Sequence, residues 1–156
     1  MKRLSSLILF VAIFCLTASY HSVFAQDSEK DTAYIFESVA DVPATSVKDQ
    51  HRSGTCWAFA GISFLESEVL RNSGQEVDLS EMFVVRYTYS DKALKYVRLH
   101  GSSNFGPGGQ GHDVINVARE YGLLPEEVYS GLQIGEEKHN HGEMDAVLKG
   151  FLDGVV

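Results

Sequence analysis

A single cysteine, Cys56, opens the most apolar helix-forming stretch of this chain, directly after a turn that contains Gly54. The stretch runs Gln50-His51-Arg52-Ser53-Gly54-Thr55-Cys56-Trp57-Ala58-Phe59-Ala60. A thiol at a helix N-terminus sits where unpaired backbone N–H groups and the positive end of the helix dipole favour an anion. The thiolate is the nucleophilic form of sulfur. Trp57, Phe59, Ala60, Ile62, Phe64 and Leu65 leave almost no polar face, so the first half of the helix is expected to be buried on all sides. Polarity returns at Glu66, Glu68 and Arg71, and Asn72-Ser73-Gly74 supplies a stop. That pattern suits a central helix whose start faces an internal cleft. It also suits a plain core helix that happens to begin with Cys.

The N-terminus bears on which reading holds. Lys2 and Arg3, the apolar run Leu7 to Leu16 and Val23-Phe24-Ala25 predict a cleaved signal peptide over 1–25. The apolar run is short for a permanent span, so an uncleaved anchor is the lesser alternative. Cys15 fills that run, because Phe14 precedes it where a lipoprotein signal needs a small residue. Cleavage leaves Cys56 alone, since the chain has 2 cysteines. A lone Cys in an exported protein is either a buried small hydrophobe or a reactive thiol. A redox role is disfavoured without a resolving partner. Cleavage also takes Lys2 and Arg3 and no acid from the 13 basic and 21 acidic side chains, which leaves a net −10. Such an acidic chain argues against nucleic acid and anionic membrane as partners. The expected location is periplasmic or extracellular, with no membrane contact after cleavage.

Further along, 26–42 reads as a lead-in and 43–156 as one domain portion. Phe36 to Val47 reads as extended, with Pro43 forbidding a helix, and Lys48 to Thr55 as a loop. Helices are predicted over Cys56–Arg71, from Glu81 after the N-cap Ser80 through Tyr89, and as a separate piece over Asp91–His100. Gly101 to Gly111, with five glycines and Pro107, is a loop whose backbone can approach something closely. No Lys-Ser/Thr pair follows to make it a phosphate cradle. Helices are also predicted over His112–Tyr121, with Gly122 as its cap, and over Glu143–Leu152, with loops between. The chain stops at Val156 inside an apolar phrase, which reads as a domain cut midway.

Val47-Lys48-Asp49-Gln50 followed by Ser53-Gly54-Thr55-Cys56-Trp57-Ala58-Phe59 resembles the nucleophile segment of papain-like cysteine peptidases. Leu79-Ser80-Glu81 resembles the opening of that family's next helix, and Gly108-Gly109 its substrate-backbone loop. Pro125-Glu126-Glu127-Val128-Tyr129, Glu143-Met144-Asp145 and the wording Arg52-Ser53-Gly54-Thr55-Cys56-Trp57 are similar to the bleomycin hydrolase/aminopeptidase C branch. The resemblance implies an α+β, papain-like fold, with this chain supplying mainly the helical lobe and lacking most of the β-rich lobe. It implies peptide substrates, cleavage through a Cys acyl-enzyme and no cofactor or metal. Cys56 would be the nucleophile and Gln50, six positions earlier, a donor to the oxyanion. Gly108, Gly109 and Trp57 would meet substrate. Ser53 and Gly106 stand where papain-type enzymes place two bridged cysteines, so the bridge is absent at both ends together. His51 stands where a Gly usually follows the Gln, so the turn needs another solution. Too few residues separate the cleavage site from Gln50 for a long inhibitory prosegment. A papain-fold binding module without catalysis is the alternative.

Such chemistry also needs a histidine base and an orienting Asn, roughly 130–150 positions after the Cys and so beyond Val156. The isolated chain is therefore expected to be inactive. Among the histidines present, His51 is a weak substitute base, and His112 is expected to cap or pack the following helix. His139 and His141, near Glu136, Glu137 and Glu143, read as a solvated polar loop rather than a metal site. Oligomeric state is not legible.

Overall fold

A computed structural model describes residues 34–156. The expected signal peptide and residues 26–33 of the lead-in lie outside those residues. Ala40–Val156 form a compact unit of their own.

That unit is built from four helices: α1 (Cys56–Ser73), α2 (Glu81–Arg98), α3 (Gly111–Glu120) and α4 (Gly142–Val155). Among the described residues, pairing of extended chain is limited to two isolated bridges, Arg52 with Asn140 and Leu79 with Pro125. α1 packs on α2, α3 packs on both, and α4 packs on α2. The core between them holds Trp57, Ala58 and Ile62 of α1, Phe83, Val84 and Tyr89 of α2, and Val114 and Val117 of α3.

Local chemistry sets the helix ends. α1 stops where Gly74 turns left-handed at φ 70 and its N–H reaches the Leu70 carbonyl at 2.8 Å. α2 starts as expected at Ser80, whose hydroxyl accepts the Phe83 N–H at 3.0 Å and also donates to the Tyr129 carbonyl. α2 is one continuous helix, not two pieces. Nothing between Tyr89 and Asp91 breaks it, because Ser90 turns its hydroxyl back onto the Arg86 carbonyl. α3 begins one residue earlier than predicted and ends at Glu120, and Tyr121 caps it in place of Gly122.

Two expectations about α1 fail. Its first half is not buried on all sides: Ala58, Ile62 and Glu66 form an inward row at intervals of four, while Cys56, Ala60 and Phe64 form an exposed one. Apolar content cannot say which faces have partners. Glu66, expected among the solvated residues, is 1% exposed. It accepts from Thr45 Oγ1 at 2.7 Å, Lys48 Nζ at 3.1 Å and the Leu79 N–H at 2.7 Å, which satisfies its charge inside.

Candidate active site

The turn before Cys56 is closed by the Ser53 N–H on the Gln50 carbonyl at 3.3 Å. His51 supplies the left-handed step at φ 50. Its N–H is held by Asp49 Oδ1 at 2.8 Å, and its Nδ1 lies 3.2 Å from the His139 carbonyl oxygen. A His therefore makes the turn that a Gly would make without strain. Ser53 and Thr55, both buried, share a 2.5 Å hydroxyl–hydroxyl bond. Gly54, at φ 68, lies against Pro107, whose Cβ would be 3.0 Å from any added side chain.

Cys56 is a free, exposed thiol on the first residue of α1. Thr55 is the N-cap but makes no side-chain capping bond, because its hydroxyl is turned to Ser53. The first N–H groups of the helix thus lack a side-chain acceptor, and Cys56 stands at the positive end of the helix dipole. Gln50 ends the extended segment before the turn. Its Oε1 is buried without a hydrogen-bond partner. A buried orphan of this kind is uncommon, and exchange of amide O and N would make it a donor without a partner.

The glycine loop is fastened to this segment through Trp57. The indole is 7% exposed, and its Nε1–H donates to the Pro107 carbonyl at 2.8 Å. Gly109 lies so close to the ring that a Cβ there would meet Trp57 Cε2 at 2.5 Å. Gly108 is exposed and has open space in place of a side chain. Sequence reasoning missed Lys92, which donates to the Gly106 carbonyl at 3.2 Å and to the Gly108 carbonyl. Its ammonium also sits 5.6 Å from the Trp57 ring centre. Burial pulls its pKa down, and the charges of Asp113 and Asp145 partly offset that. No sequence signal marks it, since a lysine on an amphipathic helix looks like any surface lysine.

The structure also brings residues 139–141 onto the turn. Arg52 donates to the His139 carbonyl at 3.0 Å and accepts from the His141 N–H at 3.2 Å. These histidines are therefore half-buried against the turn, not on a solvated loop. Burial lowers the pKa of both, with the neighbouring charges of His141 and His51 adding to the effect on His139. His112 neither caps nor packs: it is exposed beside Asp113, and the helix is capped by the Gln110 N–H on Asp113 Oδ2 at 2.8 Å. Among the described residues, no histidine hydrogen-bonds Cys56, and no cluster of His, Cys, Asp or Glu is arranged to hold a metal ion. Nor is any helix among them long and apolar enough to cross a membrane. A cavity of about 430 Å³ lies between α2 and α4, lined by Met82, Tyr89, Phe105, Met144 and Leu148, none of which belongs to the Cys56 loop.

An exposed thiol at the head of a half-buried helix, with a glycine loop fastened to the next residue, Trp57, is the arrangement of a cysteine-peptidase nucleophile segment. The family model described as Papain family cysteine protease matches residues 36–130, and the chain belongs to that family. It is 26% identical over 121 residues to Cysteine proteinase 1, mitochondrial, of Saccharomyces cerevisiae, an alignment covering 67% of this chain and 25% of the yeast protein. It is 33% identical over 110 residues to Cathepsin L1 of Drosophila melanogaster, covering 70% of this chain and 27% of the fly protein. A Viral cathepsin of Mamestra configurata nucleopolyhedrovirus is 45% identical over 47 residues, covering 30% of this chain and 14% of the viral protein. The chain spans about a quarter of the length of its yeast and fly relatives.

Proposed function

We propose that this chain carries the nucleophile half of a thiol peptidase that cleaves peptide bonds through a Cys56 acyl-enzyme. The observation that carries the reading is the exposed Cys56 on the first residue of α1, with the Thr55 hydroxyl withdrawn from the cap. The Cys56 sulfur attacks the scissile carbonyl carbon, an S–C bond forms, and the C=O π pair moves to oxygen. The Cys56 N–H and the Gln50 amide stabilise that oxyanion. Collapse expels the amine, which departs with the proton that the base took from the Cys56 thiol, and leaves a thioester that water hydrolyses to the acid and the free thiol. Gly108 and Gly109 offer backbone to the substrate. Trp57, being buried, contributes by seating the Pro107–Gly109 stretch.

The base is assigned to a histidine outside the described residues, oriented by an Asn, since the described histidines make no bond to Cys56. The exposed row Cys56, Ala60 and Phe64 supports a β-rich lobe closing on α1. The branch reading, aminopeptidase C/bleomycin hydrolase-like, draws on the Arg52–Trp57 wording and on Ser53. That residue is buried against Thr55 where a bridged cysteine stands in papain-type enzymes. Export to the periplasm or outside rests on the Lys2–Ala25 pattern alone.

The test is hydrolysis of a fluorogenic aminoacyl substrate by the full product of the reading frame that contains this chain. Cys56→Ser should abolish turnover, and full activity in that variant would overturn the nucleophile assignment. The isolated 156-residue chain should show no turnover. Cys56-dependent hydrolysis by that chain would overturn the external base.

A further inference from the structure

The segment that delivers Gln50 has little of its own to hold it. Residues 40–49 form no helix or strand, and none of them enters a backbone–backbone hydrogen bond among the described residues. Val47 is fully exposed, and a cavity of about 190 Å³ separates the segment from α1, lined by Val47, Lys48, Phe59, Ser63 and Glu66 among others. Apolar packing therefore does not seat it.

Polar side chains do. Thr45 Oγ1 donates to Glu66 at 2.7 Å. Lys48 Nζ meets Glu66 Oε1 at 3.1 Å, Asp78 Oδ1 at 2.5 Å and Glu81 Oε1 at 3.0 Å, and donates to the Leu79 carbonyl at 3.1 Å. Glu66 belongs to the helix that Cys56 opens, and Glu81 heads α2. Both carboxylates are buried, so geometry here is enforced by the cost of leaving either unpaired.

We infer that Lys48 is a positioning residue for Gln50: its ammonium ties the extended segment to α1 and to the head of α2, and so sets where the Gln50 amide stands relative to the Cys56 sulfur. The inference rests on reading Gln50 as an oxyanion donor. Gln50 follows Lys48 by two residues, a span of about 7 Å, so displacement at Lys48 passes directly to the amide. Glu66 lies ten residues along α1 from Cys56, about 15 Å of rigid helix, which makes the two ends of the tether a fixed frame.

The test uses the isolated chain, which needs no external base to form a hemithioacetal with a dipeptide aldehyde ¹³C-labelled at the carbonyl. The Cys56 thiol adds across the C=O: the S–C bond forms, the π pair moves to oxygen, and the thiol proton ends on that oxygen. Carbon NMR reads the adduct. Gln50→Ala should weaken it about tenfold, the upper end for a lost neutral hydrogen bond to the adduct oxygen. Lys48→Met should weaken it about fivefold to tenfold, and the K48M/Q50A double variant no further than Q50A alone. Lys48→Arg should restore adduct formation to within about twofold of wild type. Iodoacetamide alkylation, which makes no oxyanion, should stay within about twofold throughout. Because K48M strands buried carboxylates, K48Q/E66Q provides a neutral pair in its place, with far-UV circular dichroism verifying the fold. Wild-type adduct affinity in K48M and K48Q/E66Q, alongside a loss in Q50A, would overturn the Lys48 inference and leave the Gln50 reading intact. Additive losses in K48M/Q50A would overturn it too. No loss in Q50A would overturn the reading itself.

Discussion

His51 occupies a backbone conformation at φ 50 that L side chains reach with difficulty. Its N–H bond to Asp49 and its ring on the His139 carbonyl compensate for part of that strain. Exchanging His51 for Gly relieves the strain, loosens the unfolded chain and loses the ring contact, so chemical denaturation should shift by no more than about 0.5 kcal/mol. His51→Val, β-branched at the same φ, should cost about 2 kcal/mol. Gly108 and Gly109 of the glycine loop separate in the same way. Gly109→Ala drives a methyl into the buried Trp57 ring and should cost about 2 kcal/mol. Gly108→Ala meets open space and should leave stability within about 0.5 kcal/mol. Loss of peptidase activity in Gly108→Ala without loss of stability would mark its backbone as a substrate contact. Urea titrations of the four variants check these values. The sequence marks both glycines alike, because only tertiary packing shows that one lies under an indole and the other under solvent.

At the scale of elements, Ser80 serves two of them. Its hydroxyl caps α2 through the Phe83 N–H and binds the Tyr129 carbonyl in the following loop. Ser80→Ala should destabilise by about 1–2 kcal/mol, at the upper part of the range for a lost cap because the half-buried Tyr129 carbonyl also loses its donor. The crossing of α1 and α3 depends on Gly61, where a Cβ would stand 2.6 Å from Val114 Cγ2. Gly61→Ala gains about 1 kcal/mol of helix propensity, yet should still lower the melting temperature because the crossing cannot open without moving buried Val114. The Ser80 cap and the Gly74 stop were legible because a cap is local chemistry. The continuity of α2 past Ser90 was not, since the polar pair Ser90-Asp91 reads equally well as a break.

Over the molecule as a whole, one ammonium, Lys48, faces three carboxylates, those of Glu66, Asp78 and Glu81. Burial alone would lower the Lys48 pKa, but hydrogen bonds to Asp78, Glu81 and Glu66 overturn that and hold it above the ordinary lysine value. Burial raises Glu81, only partly countered by Lys48. Glu126 is pushed up to about 7, by burial first and then by Glu81, and its Oε2 is buried without a partner. A carboxyl with a raised folded-state pKa holds its proton more tightly when folded, so stability falls as pH rises from about 4.5 to about 7. Glu126→Gln removes that term. At pH 8 the variant should be more stable by on the order of 1 kcal/mol, discounted for partial solvent access, and near wild type at pH 4.5. Thermal melts across that range measure it; equal pH slopes in both proteins would refute it. Features encoded within a few residues were legible in the chain alone: the helix that Cys56 opens, the Ser80 start, the Gly101–Gly111 loop and the Gln50 to Cys56 interval. Which partners those pieces find was left to tertiary packing. Glu66 turns inward, Trp57 holds the Pro107 carbonyl, Lys92 holds the glycine loop, residues 139–141 brace the turn before Cys56, and Lys48 meets Glu66 of α1. Each of those contacts joins residues distant along the chain, and a buried charge or indole declares its partner only once folding has removed the water around it.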